Sequence, residues 1–172
     1  MNTPKWILLA EDDSNDARLT LHALIQTSSP VTVVHVKDGA EALNCLYRRD
    51  VFASRDTGPP ALLLLDLKMP RVDGFAVLKQ IKSDRDMKAV PVTVFTSSRE
   101  PADVARSYEL GTNAYVVKPV DFQALLKVLQ GIKNFWINYN ERPTERAPGR
   151  IGATDYRGAQ ATPDSSRQAI EE

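Results

Sequence analysis

Three short runs in this chain, ILLA, LLLL and VTVF, carry apolar side chains without the period-two alternation of a half-solvated strand. Strands of that kind must be covered on both faces, which is the condition of a parallel sheet between helices. With two further apolar stretches they give five strand candidates: Trp6–Ala10, Val31–Val36, Ala61–Leu65, Val92–Phe95 and Ala114–Val117. Helical patterns separate them. Ala17, Leu21, Leu24 and Ile25 repeat at three and four behind a Ser14/Asp16 start, and Ala40, Leu43, Leu46 and Tyr47 follow Asp38-Gly39. Phe75, Leu78 and Ile81 follow Asp73-Gly74, Pro101 opens a fourth pattern closing at Gly111, and Asp121 caps a long fifth. Strand and helix alternating five times predict a doubly wound α/β sheet with helices on both faces and right-handed crossovers. In such a sheet a site lies outside the carboxyl ends of the strands.

The residues at those ends are chemically complementary. Glu11, Asp12 and Asp13 follow the first strand, Asp66 the third, Thr96 and Ser97 the fourth, and Lys118-Pro119 the fifth. Carboxylates crowded together repel one another, and a hard divalent cation such as Mg²⁺ relieves that repulsion while leaving room for a phosphate oxygen. A lysine and a hydroxyl serve further phosphoryl oxygens. Each residue alone has a blander reading, an N-cap for an aspartate or a solvated charge run for 11–13. The set points to a phosphoryl group carried on a carboxylate.

Residues 5–140 resemble the receiver domain of two-component response regulators. The resemblance rests on ILLAEDD, the aspartate of LLLLDLKMPRVDGF, TSS after PVTVF, and AYVVKPV, with 30 residues from Asp66 to Thr96 and 22 from Thr96 to Lys118. It implies a flavodoxin-like sheet of order 2-1-3-4-5. It also implies that Asp66 is the phosphoacceptor, that Asp12, Asp66 and the Lys68 backbone carbonyl hold Mg²⁺, and that Glu11 reaches the ion through water. Thr96 and Lys118 would bind phosphoryl oxygens, Tyr115 would be the aromatic of the switch, and Lys118-Pro119 would be cis. From Asp12 to Asp66 there are 54 residues, and the excess over compact receivers falls in LYRRDVFASRDTGPP, read as an extended second helix and loop. That insertion, the EDDSNDARL opening and the long last helix resemble the single-domain response regulators of bacterial and cyanobacterial phytochromes. A phytochrome-type histidine kinase is the partner so implied.

The domain is expected over 1–142. Residues 143–172 carry only Ile151, Tyr156 and Ile170 as large apolar side chains and form no core of their own, so they are expected to be a tail or a docking arm. In the last helix, Leu125, Leu129, Ile132, Trp136 and Tyr139 step as a heptad seam, with Phe135 and Ile137 off it. The surplus over one stripe predicts a homodimer through this helix, with the tail as an arm across the partner. His22 and His35 lack partners at ligand spacing, Cys45 reads as a small core residue, and Gly39 and Gly74 as helix-start glycines.

Lys+Arg and Asp+Glu both number 22, and a chain with no basic excess is not expected to bind DNA. Apolar runs are too short to span a bilayer, and three acids follow the first strand too soon for a signal peptide, so a cytoplasmic protein is expected. The competing reading is a Mg²⁺-dependent phosphohydrolase with an aspartyl-phosphate intermediate. It would want a second acid near Asp66, where Lys68 stands two residues on. A flavodoxin-like cofactor binder would need a phosphate loop where the three acids lie. The expectation is therefore a signalling receiver, not an enzyme.

Overall fold

The computed structural model describes residues 4–26 and 30–141. Strands β1 (Trp6–Ala10), β3 (Leu62–Leu65) and β4 (Val92–Thr96) are buried along their whole length, as their unalternating apolar sequence requires. Strands β2 (Thr32–Val36) and β5 (Ala114–Val117) are half-buried edges. All pairs are parallel, in the order β2-β1-β3-β4-β5. The expected order and doubly wound class are therefore observed.

Two core layers flank the sheet. Leu8, Ala10, Leu63, Leu65 and Val92 pack with α2 (Gly39–Leu46) and α3 (Gly74–Ser83) on one face. Ile7, Leu9, Leu62, Leu64 and Phe95 pack with α1 (Ser14–Ile25) and α5 (Phe122–Lys133) on the other. Helix α4 (Pro101–Glu109) lies along β5, opened by Pro101 without a side-chain cap. Asp38, Asp73 and Asp121 accept the backbone N–H three residues on and cap α2, α3 and α5, each replacing a hydrogen bond the first helical turn lacks.

Several local expectations need correction. The cap of α1 is Asp13, whose side chain accepts from Asn15 and Asp16, one residue ahead of the expected start. The second helix is not extended: it stops at Leu46, Arg48 and Asp50 take positive φ that no helix continues through, and a 3₁₀ turn, Asp50–Phe52, opens a loop. Indole Nε1 of Trp6 donates to the Thr57 carbonyl at 2.9 Å and pins that loop under the sheet. The Lys118-Pro119 peptide is trans, the lower-energy form of an X-Pro bond. Cys45 is buried in the core, as expected.

The last helix reaches Tyr139, but from Asn134 it is π-helical, and Asn140 N–H closes on Phe135 C=O at 2.7 Å. Bonding five residues back brings neighbouring positions closer in angle, so Trp136 and Ile137 both face the core beside Ile132. Leu125 and Leu129 are buried there too. Most of the heptad seam thus serves the protein's own sheet, and Ile137, expected off it, joins it. Phe135 and Tyr139 remain 51% and 69% exposed. Residues 143–172, and with them the arm, lie outside the described residues. Among the described residues no helix is long and apolar enough to cross a membrane.

Candidate functional site

Strand register builds the site. Ala10 lies opposite Leu65, Leu65 opposite Val94, and Thr96 opposite Val117, so the four strands end at nearly one level. The next residue of each chain segment, Glu11, Asp66 and Lys118, is delivered to that rim. Asp66 N–H donates to Ala10 C=O at 3.0 Å and Lys118 N–H to Thr96 C=O at 2.8 Å, continuing the ladder one step beyond the sheet.

At the rim the Lys118 ammonium meets three carboxylates: Glu11 Oε2 at 2.5 Å, Asp16 Oδ2 at 2.9 Å and Asp66 Oδ2 at 3.1 Å. Carboxylate oxygens of Glu11, Asp12 and Asp66 converge to within 4.8 Å of one another, with Glu11 and Asp66 buried and Asp12 exposed. One side of this group is open to solvent and the other is closed by Lys118. The donor set is all oxygen, which fits a hard cation such as Mg²⁺ that keeps part of its water.

The acids are not equivalent. Burial pushes the Glu11 carboxyl up to about 7, against the hydrogen bond and charge of Lys118, which pull it down. For Lys118 burial works against the charge, but the Glu11 hydrogen bond, the charge of Asp66 and the Asp16 hydrogen bond outweigh it and raise the ammonium above its ordinary value. The lysine is thus held charged by the acids that surround it.

The loop carrying Asp66 is fixed by close packing. Asp66 Oδ1 accepts from Leu67 N–H at 2.6 Å, and Lys68, two residues on, is exposed. Gly74 N–H donates to Leu67 C=O, and a Cβ at Gly74 would stand 2.2 Å from the Asp66 carbonyl oxygen. Gly39 has the same relation to the Val72 carbonyl, also 2.2 Å. Both glycines start helices, as expected, and the reason is this approach of backbone to backbone.

Thr96 is fully buried at the end of β4, and its Oγ1 accepts from Ser98 N–H at 3.4 Å. Tyr115 on β5 donates its hydroxyl to Ser98 C=O at 3.1 Å, and Ser98 in turn donates to Asp103 of α4 at 2.6 Å. The structure therefore joins Thr96 and Tyr115 through Ser98. Two residues of this arrangement owe their roles to tertiary contacts. Asp16 reads in the sequence as a helix-start residue, and its place one turn beyond Asp12 in EDDSND is the signal for more. Ser98 stands in the TSS run, but its own role depends on contacts to β5 and α4 that the run does not show. His35 Nε2–H donates to the Glu11 backbone carbonyl at 2.8 Å, and His22 stacks on Phe122; both are structural partners, as expected.

Comparison with known proteins agrees with this geometry. Residues 7–130 match the model of the response regulator receiver domain. Response regulator Rcp1 of Synechocystis sp. is 38% identical over 136 residues, covering 79% of this chain and 91% of that protein. The crystal structure of its Mn²⁺-bound form matches with a TM-score of 0.75, over 82% of this chain and 100% of that one. The phosphorylated cyanobacterial phytochrome response regulator RcpA matches with a TM-score of 0.76 at 38% identity, over 82% of this chain and 99% of that one. The bacteriophytochrome response regulator RtBRR is 47% identical with a TM-score of 0.67, over 81% of this chain and 84% of that one.

Proposed function

Since this chain belongs to the response regulator receiver family, we propose that it takes a phosphoryl group from a phytochrome-type histidine kinase onto Asp66 with Mg²⁺, and that this switches a protein-binding surface. The observation that carries the reading is Lys118 Nζ, 3.1 Å from Asp66 Oδ2 at the rim of the sheet. Asp66 Oδ2 attacks phosphorus and the histidine nitrogen of the kinase leaves with the bond's electron pair. Lys118 neutralises charge on the arriving phosphoryl oxygens, and Asp12, Asp66 and the Lys68 carbonyl would hold the ion, with Glu11 beside them. When bound, Mg²⁺ supplies charge neutralisation between the phosphoryl oxygens and the acids.

Thr96 then binds a phosphoryl oxygen, and any shift of its backbone is passed through Ser98 to Tyr115 and α4. The protein acts as an acceptor in a signalling relay rather than as an enzyme turning over a separate substrate. Its output is a protein contact, not DNA, as the zero net charge favours. We assign it to the cytoplasm, where such kinases expose their phosphohistidine, and propose a homodimer in which Phe135 and Tyr139 of the π-helical end meet a second copy. The test is phosphotransfer from a phytochrome kinase, and from acetyl phosphate with Mg²⁺, followed by mass analysis. One phosphoryl adduct is expected, absent in Asp66→Asn; an adduct that persists in the variant overturns the assignment.

A further inference from the structure

An ammonium has three N–H donors, and Lys118 spends them on three carboxylates. Two of these acids, Glu11 and Asp66, belong to the oxygen cluster that fits a cation. Asp16 does not. A cation held by that cluster would compete with Lys118 for the Glu11 and Asp66 oxygens, and Asp16 would stay outside that competition. We propose that Asp16 is a positioning residue for Lys118, the carboxylate that keeps the ammonium over Asp66 when Glu11 and Asp66 turn to the metal.

The place of Asp16 suits that task. It stands in the first turn of α1, and its N–H is fixed by the Asp13 cap at 2.9 Å. Its Oδ2 is 2.9 Å from Lys118 Nζ, although 102 residues separate them. Lysine is a compact charge on a flexible four-carbon stem, so without a tether its head samples many positions that do not serve a phosphoryl oxygen. The Asp16 side chain is 44% exposed and that of Glu11 1%, so Asp16 meets the ammonium from the more solvent-accessible part of the rim. Of these two acids, only Glu11 belongs to the metal cluster.

The inference rests on the reading of Asp66 as phosphoryl acceptor, and the test separates the two. Full-length wild type, Asp16→Asn and Asp16→Glu are compared for phosphorylation by acetyl phosphate over a Mg²⁺ series, and the Lys118 ¹⁵Nζ signal is followed by NMR. The expected result at saturating Mg²⁺ is a phosphorylation rate about tenfold lower in Asp16→Asn, with the half-saturating Mg²⁺ concentration moved less than about twofold, and most of the rate regained in Asp16→Glu. The Lys118 ammonium signal is expected to persist with Mg²⁺ in wild type and to be lost to exchange in Asp16→Asn. An unchanged rate overturns the inference, and so does a loss matched by an equal shift in Mg²⁺ dependence. If wild type takes no phosphoryl group, the reading of Asp66 fails, while an ammonium signal that survives in Asp16→Asn with Mg²⁺ still overturns the role of Asp16.

Discussion

Lys118 Nζ lies 2.5 Å from Glu11 Oε2, a contact that spans 107 residues of sequence and closes the carboxyl end of the sheet between β1 and β5. Both partners are nearly excluded from solvent, with side chains 10% and 1% exposed. The pair stands where a cation and a phosphoryl group would each claim one member. Separation of this pair is therefore built into the proposed reaction.

The raised Glu11 carboxyl makes metal-free stability depend on pH. A carboxyl held at about 7 in the fold and at the ordinary 4.5 in the unfolded chain binds its proton more tightly when folded. Its contribution is full below the unfolded value and is lost as pH rises through about 7. Thermal melts without metal should show Glu11→Gln gaining on wild type between about pH 5 and about pH 8. Mg²⁺ affinity should rise as pH passes through about 7, since ionised Glu11 adds a negative charge beside the ion. Neutralising Asp12 should weaken Mg²⁺ binding more than neutralising Glu11, as titration calorimetry would read.

Two glycines should respond in opposite directions to one methyl group. A Cβ at Gly74 meets backbone at 2.2 Å, which neither the Asp66 carbonyl nor the helix start can yield cheaply, whereas nothing lies within 4 Å of a Cβ at Gly131 in α5. Gly131→Ala should stabilise by about 0.5–1 kcal/mol. Gly74→Ala should destabilise by more than about 1 kcal/mol and slow phosphorylation of Asp66, because it moves the loop that carries it. Urea melts with a phosphorylation time course check both.

The Ser98 backbone links Thr96 to Tyr115, and its hydroxyl ties that link to Asp103 of α4, so the hydroxyl should matter beyond its size. Ser98→Ala removes the donor to Asp103 Oδ2 and should cost about 1 kcal/mol. Combined with Asp103→Ala the loss should be well short of the sum, since both variants break the Ser98–Asp103 bond. Additive losses in chemical denaturation would show that the two side chains act separately.

The dimer surface proposed at the π-helical end is narrow. Phe135→Glu with Tyr139→Ser should give a folded monomer of the chain's 19.1 kDa in light scattering, because the two side chains are 51% and 69% exposed in the single chain. Ile137→Glu is the contrasting variant. It places a charge against the core layer of α1 and α5 and should destabilise the fold itself.

The sequence determined the sheet, the helix order and the identity of the acids, hydroxyl and lysine at its rim. These follow from local patterns: unalternating apolar runs force two-sided burial, and aspartate before a helical repeat supplies the missing acceptor of the first turn. The 143–172 stretch was legible only by composition. Tertiary structure alone decided which acids share the lysine, since Asp16 and Glu11 look alike in EDDSND and differ only in how β1 and α1 carry them to Lys118. It decided that the loop after α2 leaves the helix at Arg48, held by a tryptophan 51 residues away. It decided, too, that Ile137 turns inward: the heptad pattern assumes one helical pitch, and the π turn, tied at its end by Lys5 Nζ donating to Ile137 C=O at 2.7 Å, changes that pitch. Contacts between distant segments depend on register and rotation summed over the whole fold, and no local pattern encodes them.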